Sequence, residues 1–338
     1  MHIGLIAPPW APVPPVRYGG TEQVVHDLAL GLTRLGHDVR LFSVGGSTCP
    51  VPRGWYYPTA VDEMGTTLPE ATHVLAAYDD LRTVDVIHDH TFLGPLVAAG
   101  LPDLPPVVST NHGPFTTDTR LIYRAVARNA AVVAISQSQR DSAPDVPVTA
   151  VIRHGIDLQA YGYGDGDGGY LAFVGRMSPD KGVDTAVRVA RRAGRRLVVV
   201  TKMREPGEHA YFEQHVRPLL DDDIELMHEL SAPDRIEVMR SAAALLNPLC
   251  WREPFGLVMA EALACGTPVL AFPNGAAPEI VDDGRTGYLC GDENNMVAAV
   301  ARVPSLNRHN CRAAAEQRFD RARMAADHER LYQGLVAN

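Results

Sequence analysis

Lysine is nearly absent from this chain. Of its 31 basic residues only Lys181 and Lys202 are lysines, and the other 29 are arginines. A lysine that stands against such a bias either marks a position where a guanidinium would not serve as well as a compact ammonium or is left there by chance. Cysteine is scarce too. Cys49, Cys250, Cys265, Cys290 and Cys311 are widely spaced and form no Cys-x-x-Cys pair. That excludes a disulfide framework and a thiolate zinc site, and fits the reducing cytoplasm. No apolar run approaches the ~18–20 residues of a membrane helix. The N-terminus has no basic start, and its short apolar run stops at Pro8-Pro9, so no signal peptide is expected. Excess positive charge is also missing: 40 acidic residues against 31 basic give a formal net charge of −9. That argues against a non-specific nucleic-acid coat. What remains is a globular composition, 46% hydrophobic and 21% charged over 338 residues, long enough for two domains.

Short apolar runs alternate with helical stretches, the pattern of parallel α/β layers. Strands are expected at His2–Ala7, Val39–Val44, Val84–His88, Val107–Thr110, Ala131–Ile135 and Val148–Ile152. A helix is expected over Thr21–Leu35, closed by Gly36. Tyr161–Gly169 carries five glycines and little to bury, and reads as a linker. The alternation then restarts, with strands expected at Tyr170–Val174, Leu197–Thr201, Ile224–Met227, Ala243–Leu246 and Pro268–Ala271. Helices are expected at Val183–Arg192, Leu257–Ala264 and, as one long element, Asp320–Leu335. Two such sheets facing each other would place a ligand in the cleft between them.

Two motifs carry chemistry. In Gly175-Arg176-Met177-Ser178-Pro179-Asp180-Lys181-Gly182 a strand ends, a turn follows and a helix begins. Arg176 and Lys181 are five apart across that turn, which can fold both cations toward one diphosphate. The plainer alternative is that Asp180 caps the helix and pairs with Arg176 while Lys181 is solvated. In the second motif, Glu253 precedes a helix and Glu261 lies inside it. Eight residues at ~1.5 Å each separate them by roughly 12 Å, beyond the ~5–9.5 Å of a carboxylate pair acting on one bond. The span suits one ligand with hydroxyls at both ends. The amides of Phe255, Gly256 and Leu257 at the helix start could bind between them. Alternatively, Glu253 serves the helix dipole and Glu261 lies at the surface.

The Arg-x4-Lys-Gly turn, then Glu-x7-Glu enclosing Pro-Phe-Gly and followed by Ala-Cys-Gly-Thr-Pro-Val, resembles glycosyltransferase family 4. Tyr18-Gly19-Gly20-Thr21-Glu22, VIRHGID (Val151–Asp157) and APEIVDDGRTGYL (Ala277–Leu289) extend the similarity over nearly the whole chain. The resemblance implies a retaining enzyme of GT-B fold, in which two Rossmann-like parallel-sheet domains face across a cleft. Residues 1–158 would bind the acceptor, residues 159–319 the nucleotide sugar, and a C-terminal helix (320–338) would pack back on the first domain. Arg176 and Lys181 would hold the diphosphate. Glu261 would take the ribose hydroxyls and Glu253 those of the donor sugar. Gly19 and Gly20 would let backbone approach the phosphates. His112, just past a strand end, matches the family's active-site histidine, with a turn histidine as the alternative. Lys202 and Glu229 resemble donor-side loop residues, although His228 stands where relatives would carry glycine. Tyr18 and His90 fall on the acceptor side.

His88-Asp89-His90 could grip a metal with two imidazoles on one strand face. The family needs no metal and no third ligand is evident, so no cofactor is expected. Asp165-Gly166-Asp167 mimics a metal motif of other glycosyltransferases, but sits in a glycine-rich, solvated stretch. The implied partners are a nucleotide-diphosphate sugar, UDP-linked before GDP-linked, and a small-molecule or oligosaccharide acceptor. The rival functions are a nucleotide-sugar epimerase, a phosphorylase-like enzyme and a non-catalytic nucleotide-sugar sensor. A dinucleotide-dependent oxidoreductase is disfavoured, because Pro8–Gly20 holds no Gly-x-Gly-x-x-Gly. The arginine bias resembles actinomycete proteins, and the short chain resembles sugar transferases of antibiotic pathways such as that of avilamycin.

Overall fold

The computed structural model describes residues 1–17 and 19–337. The chain divides into two compact units: Met1–Ile156 with Arg321–Asn338, and Asp157–Asp320. The division falls two residues before the boundary expected after residue 158.

The first unit is built on seven strands: β1 (His2–Ile6), β2 (Asp38–Ser43), β3 (Arg53–Trp55), β4 (Val86–Asp89), β5 (Val107–Thr110), β6 (Ala130–Ala134) and β7 (Val148–Val151). Their order is β3-β2-β1-β4-β5-β6-β7, and every pairing is parallel. Helices cover a parallel sheet on both faces, so its central strands read as continuous apolar runs; β4 and β5 are buried at every residue. The helix Gly20–Arg34 buries Val24, Val25, Leu28 and Leu32. The last helix, Arg321–Val336, packs against it within the same unit. At their crossing a Cβ on Gly31 would lie 2.7 Å from Ala325 Cβ, so only glycine permits the approach. A buried ion pair, Arg321 Nη1 to Asp27 Oδ1 at 3.4 Å, lies at the same contact.

The second unit repeats the plan with β8 (Leu171–Arg176), β9 (Leu197–Lys202), β10 (Ile224–His228), β11 (Ala244–Asn247), β12 (Val269–Ala271) and β13 (Gly287–Leu289), ordered β10-β9-β8-β11-β12-β13. All are parallel. Its core gathers Phe173, Val187, Val199, Leu246 and Leu270. The glycine-rich segment expected to be a linker lies inside this unit. Gly164 N donates to Cys265 O, Arg308 Nε donates to Gly164 O, and a Cβ on Gly164 would sit 2.2 Å from Arg240 O. Gly164, Gly166 and Gly168 permit close packing there rather than flexibility. Asp165 and Asp167 are exposed there.

In both sheets the strand order reverses beside the first strand, between β1 and β4 and between β8 and β11. Loops at the carboxyl ends of such strands diverge and leave room for a ligand.

Candidate functional site

In the second unit the loops after β8 and β11 carry the two sequence motifs. β8 ends at Arg176, a short turn (Pro179–Lys181) follows, and Gly182 opens the helix Val183–Arg192. Gly182 has φ +71°, and a Cβ there would meet Pro248 O at 2.2 Å. This close approach seats the Lys181 turn on the loop after β11, and Cys250 N donates to Asp180 O at 2.9 Å. Lys181 Nζ then reaches Glu253 Oε2, 72 residues away, in an ion pair whose side chains are 16% and 14% exposed. Lys181 is therefore not solvated. Arg176 does pair with Asp180, at 3.1 Å.

Trp251 completes the cluster. Its Nε1 donates to the same Glu253 Oε2 at 3.0 Å, and its ring lies 4.9 Å from Lys181 Nζ. Sequence reading missed this residue, although an indole two positions before Glu253 was there to be seen. Immediately after, Gly256 at φ +93° opens the helix Leu257–Ala264 with no side chain capping its N-terminus. Phe255 is buried against Phe319. Glu261 is 7% exposed, which removes the surface alternative. It accepts from Tyr161 Oη at 2.9 Å and lies 3.7 Å from Arg235 Nη2, two partners the sequence did not reveal.

Lys202 ends β9 in register with Arg176. Its ammonium pairs with Glu205 at 2.8 Å, and it and, more weakly, Arg176 hold that carboxyl below its ordinary range. Glu229, just past β10 at φ +31°, accepts from Arg204 Nη2 at 2.6 Å. Arg176 and Lys202 thus lie at, and Lys181, Glu229 and Glu253 follow, the carboxyl ends of adjacent strands.

In the first unit Tyr18 lies outside the described residues. Gly19 precedes the helix that Gly20 begins, and a Cβ on Gly19 would meet Pro15 Cβ at 2.7 Å and Glu22 Oε2 at 3.0 Å. Burial pushes the Glu22 carboxyl up to about 7. His90 follows β4, and its backbone N–H donates to Ile6 O across the order reversal. His112 follows β5 in a loop clamped by Gln139, whose Nε2 donates to Asn111 O at 2.9 Å and Gly113 O at 2.6 Å.

The two histidines meet, with His90 Nδ1 2.9 Å from His112 Nε2. They belong to a column of five imidazoles. His154 stacks on His112 with centroids 5.1 Å apart, His88 lies 4.0 Å from His90, and His328 lies 5.0 Å from His88. His88 is bridged between Thr110 Oγ1 at 2.7 Å and Tyr332 Oη at 2.6 Å. Burial keeps all five below the ordinary histidine range, reinforced by neighbouring rings at His88, His90, His112 and His154 and by Arg323 at His328; His112 falls to about 3 and His328 to about 4. His88, His90 and His112 of this column were flagged from sequence. His154, His328 and Tyr332 come from segments too distant to associate by spacing. Among the described residues no group of three or more His, Cys, Asp or Glu is arranged to hold a metal ion. Among the described residues no helix is long and apolar enough to cross a membrane.

These are two α/β units of the GT-B kind, each with its polar residues at the strand carboxyl ends. Residues 18–160 match the family described as Glycosyltransferase Family 4, and residues 168–305 match Glycosyl transferases group 1. AviGT4, a glycosyltransferase involved in avilamycin A biosynthesis, is 27% identical, covering 100% of this chain and 98% of that one, with a TM-score of 0.75. The alpha-maltose-1-phosphate synthase of Mycolicibacterium smegmatis is 29% identical over 86% of this chain and 85% of its own. The D-inositol 3-phosphate glycosyltransferase of Kribbella flavida is 32% identical over 49% of this chain; the match spans about half of that relative, 46% of its length. The chain belongs to glycosyltransferase family 4.

Proposed function

We propose that this protein is a retaining glycosyltransferase. It moves a sugar from a nucleotide-diphosphate sugar, UDP-linked in the first instance, to an acceptor hydroxyl, without a metal, in the cytoplasm. The observation that carries the reading is the contact of Lys181 with Glu253 beside the uncapped helix at Gly256, at the strand-order reversal of the second unit.

Lys181, Arg176 and the helix amides form a preorganised positive site for a departing diphosphate. When phosphate takes Lys181, Glu253 is released from its ion pair but stays oriented by the Trp251 N–H, ready to accept hydroxyls of the donor sugar. Glu261, Lys202 and Glu229 line the nucleotide end. The first unit binds the acceptor, with Tyr18 and His90 on that side; Gly19 and Gly20 approach the phosphates and His112 faces the sugar. The bond from the anomeric carbon to phosphate oxygen loosens first. The acceptor oxygen bonds that carbon from the same face, and its proton passes to the departing phosphate oxygen.

Similarity to AviGT4 supports a place in antibiotic or oligosaccharide biosynthesis. The test is incubation with UDP-, GDP-, ADP- and dTDP-sugars and candidate acceptors, with NMR of the product. Transfer with the donor's anomeric configuration preserved supports the reading. An inverted product, or epimerisation without acceptor, overturns it.

A further inference from the structure

We propose that His90 is a positioning residue that sets the tautomer of His112, so that His112 offers its Nδ1–H, rather than a lone pair, to an oxygen of the substrate. That His112 faces substrate rests on the function proposed above; the tautomer does not.

The His90 Nδ1 to His112 Nε2 contact of 2.9 Å holds one hydrogen between two nitrogens. Burial keeps both rings neutral, so each carries a single N–H. His90 is 5% exposed, and its Nε2 is buried with no hydrogen-bond partner. If His90 accepted at Nδ1, its own proton would sit on Nε2 as a buried donor facing no acceptor. Orphaned buried N–H groups are the rarer defect in folded proteins, and an unsatisfied acceptor is better tolerated. His90 therefore donates from Nδ1 and leaves a lone pair at Nε2. His112 accepts at Nε2, and its proton is confined to Nδ1. That nitrogen has no partner among the described residues, and the ring is partly exposed.

Neighbouring groups pack against both rings. His88, bridged between Thr110 and Tyr332, backs His90 at 4.0 Å. His154 stacks on His112 with 19° between the planes, and Gln139 clamps the backbone on both sides of His112. Which imidazole nitrogen is protonated is set by the hydrogen bond the other one makes. His90 thus decides whether His112 meets a sugar hydroxyl as donor or as acceptor.

The test is a long-range 1H–15N correlation spectrum of the full chain labelled at histidine. The wild type is expected to show His112 protonated at Nδ1, and His90→Phe to shift that proton to Nε2. His90→Asn, whose amide nitrogen stands close to the lost Nδ1, is expected to keep it on Nδ1. In the transfer assay His90→Phe should lose about tenfold in kcat/KM, while His90→Asn stays within about threefold of wild type. A wild-type His112 protonated at Nε2 overturns the proposal, as does an unchanged His112 tautomer in His90→Phe. If His90→Phe does not fold, the wild-type and His90→Asn spectra still decide. The expected tautomers with unaltered kcat/KM in His90→Phe would uphold the hydrogen bond and refute instead the placement of His112 at the substrate.

Discussion

Acidification is expected to destabilise the first unit, because six of its histidines, His73, His88, His90, His112, His154 and His328, are held uncharged by burial. His73, whose Nε2 donates to Ala7 O, is pushed down to about 4. His328 falls to about 4 and His112 to about 3, while His88, His90 and His154 also lie well below the ordinary range. The unfolded chain, with histidines near 6.5, then binds more protons than the folded one below that pH, so stability falls as pH falls. Each such histidine costs ~1.4 kcal/mol one unit below 6.5. Glu22, raised to about 7, and Asp89, raised to about 6, act in the opposite direction, because their folded carboxyls keep the proton longer. Between pH 7.5 and 5.5 those two together return ~2–3 kcal/mol. His73, His112 and His328 alone outweigh that by ~1–2 kcal/mol, and the other three enlarge the loss. Urea unfolding followed by circular dichroism at pH 7.5, 6.5 and 5.5 measures it. The midpoint should drop steadily, and His73→Gln, which keeps a donor near Nε2, should flatten the slope. A midpoint that holds or rises toward pH 5.5 would refute the reasoning.

Gly182→Ala places a Cβ against Pro248 O at a positive φ; it should destabilise the second unit by ~1–3 kcal/mol and weaken diphosphate affinity by moving Lys181, both readable in one thermal-shift titration. Asp27→Ala removes the carboxylate 3.4 Å from the buried Arg321 guanidinium and should cost ~3–5 kcal/mol, whereas the double variant Asp27→Leu/Arg321→Met recovers most of it. Limited proteolysis at the C-terminal helix would report the same ranking, and a silent Asp27→Ala would contradict it.

The sequence patterns reached most of the fold, for a physical reason. Parallel strands buried on both faces must be apolar throughout, so Val107–Thr110 and Leu197–Lys202 stand out as runs. The strands that escaped notice, Arg53–Trp55 and Gly287–Leu289, are three-residue edge strands, and that is too short for a pattern. The donor-side motifs were legible because their residues lie close together in sequence at a strand-to-helix turn. Trp251 stood in view two positions before Glu253, whereas Tyr161 as a partner of Glu261, and His154, His328 and Tyr332 in the histidine column, were not legible, since each depends on which segments the topology brings together. Composition misled at Tyr161–Gly169: glycine signals freedom in an isolated chain but tight packing where Arg240 and Arg308 close over it.

The central claim is that Lys181 stabilises a departing diphosphate, and the most direct measurement is turnover by Lys181→Ala at saturating donor. Loss of one preorganised cation should lower kcat by about 10²–10³-fold, with the fold intact by circular dichroism and with Trp251 still holding Glu253. A variant that turns over at close to the wild-type rate would contradict the account.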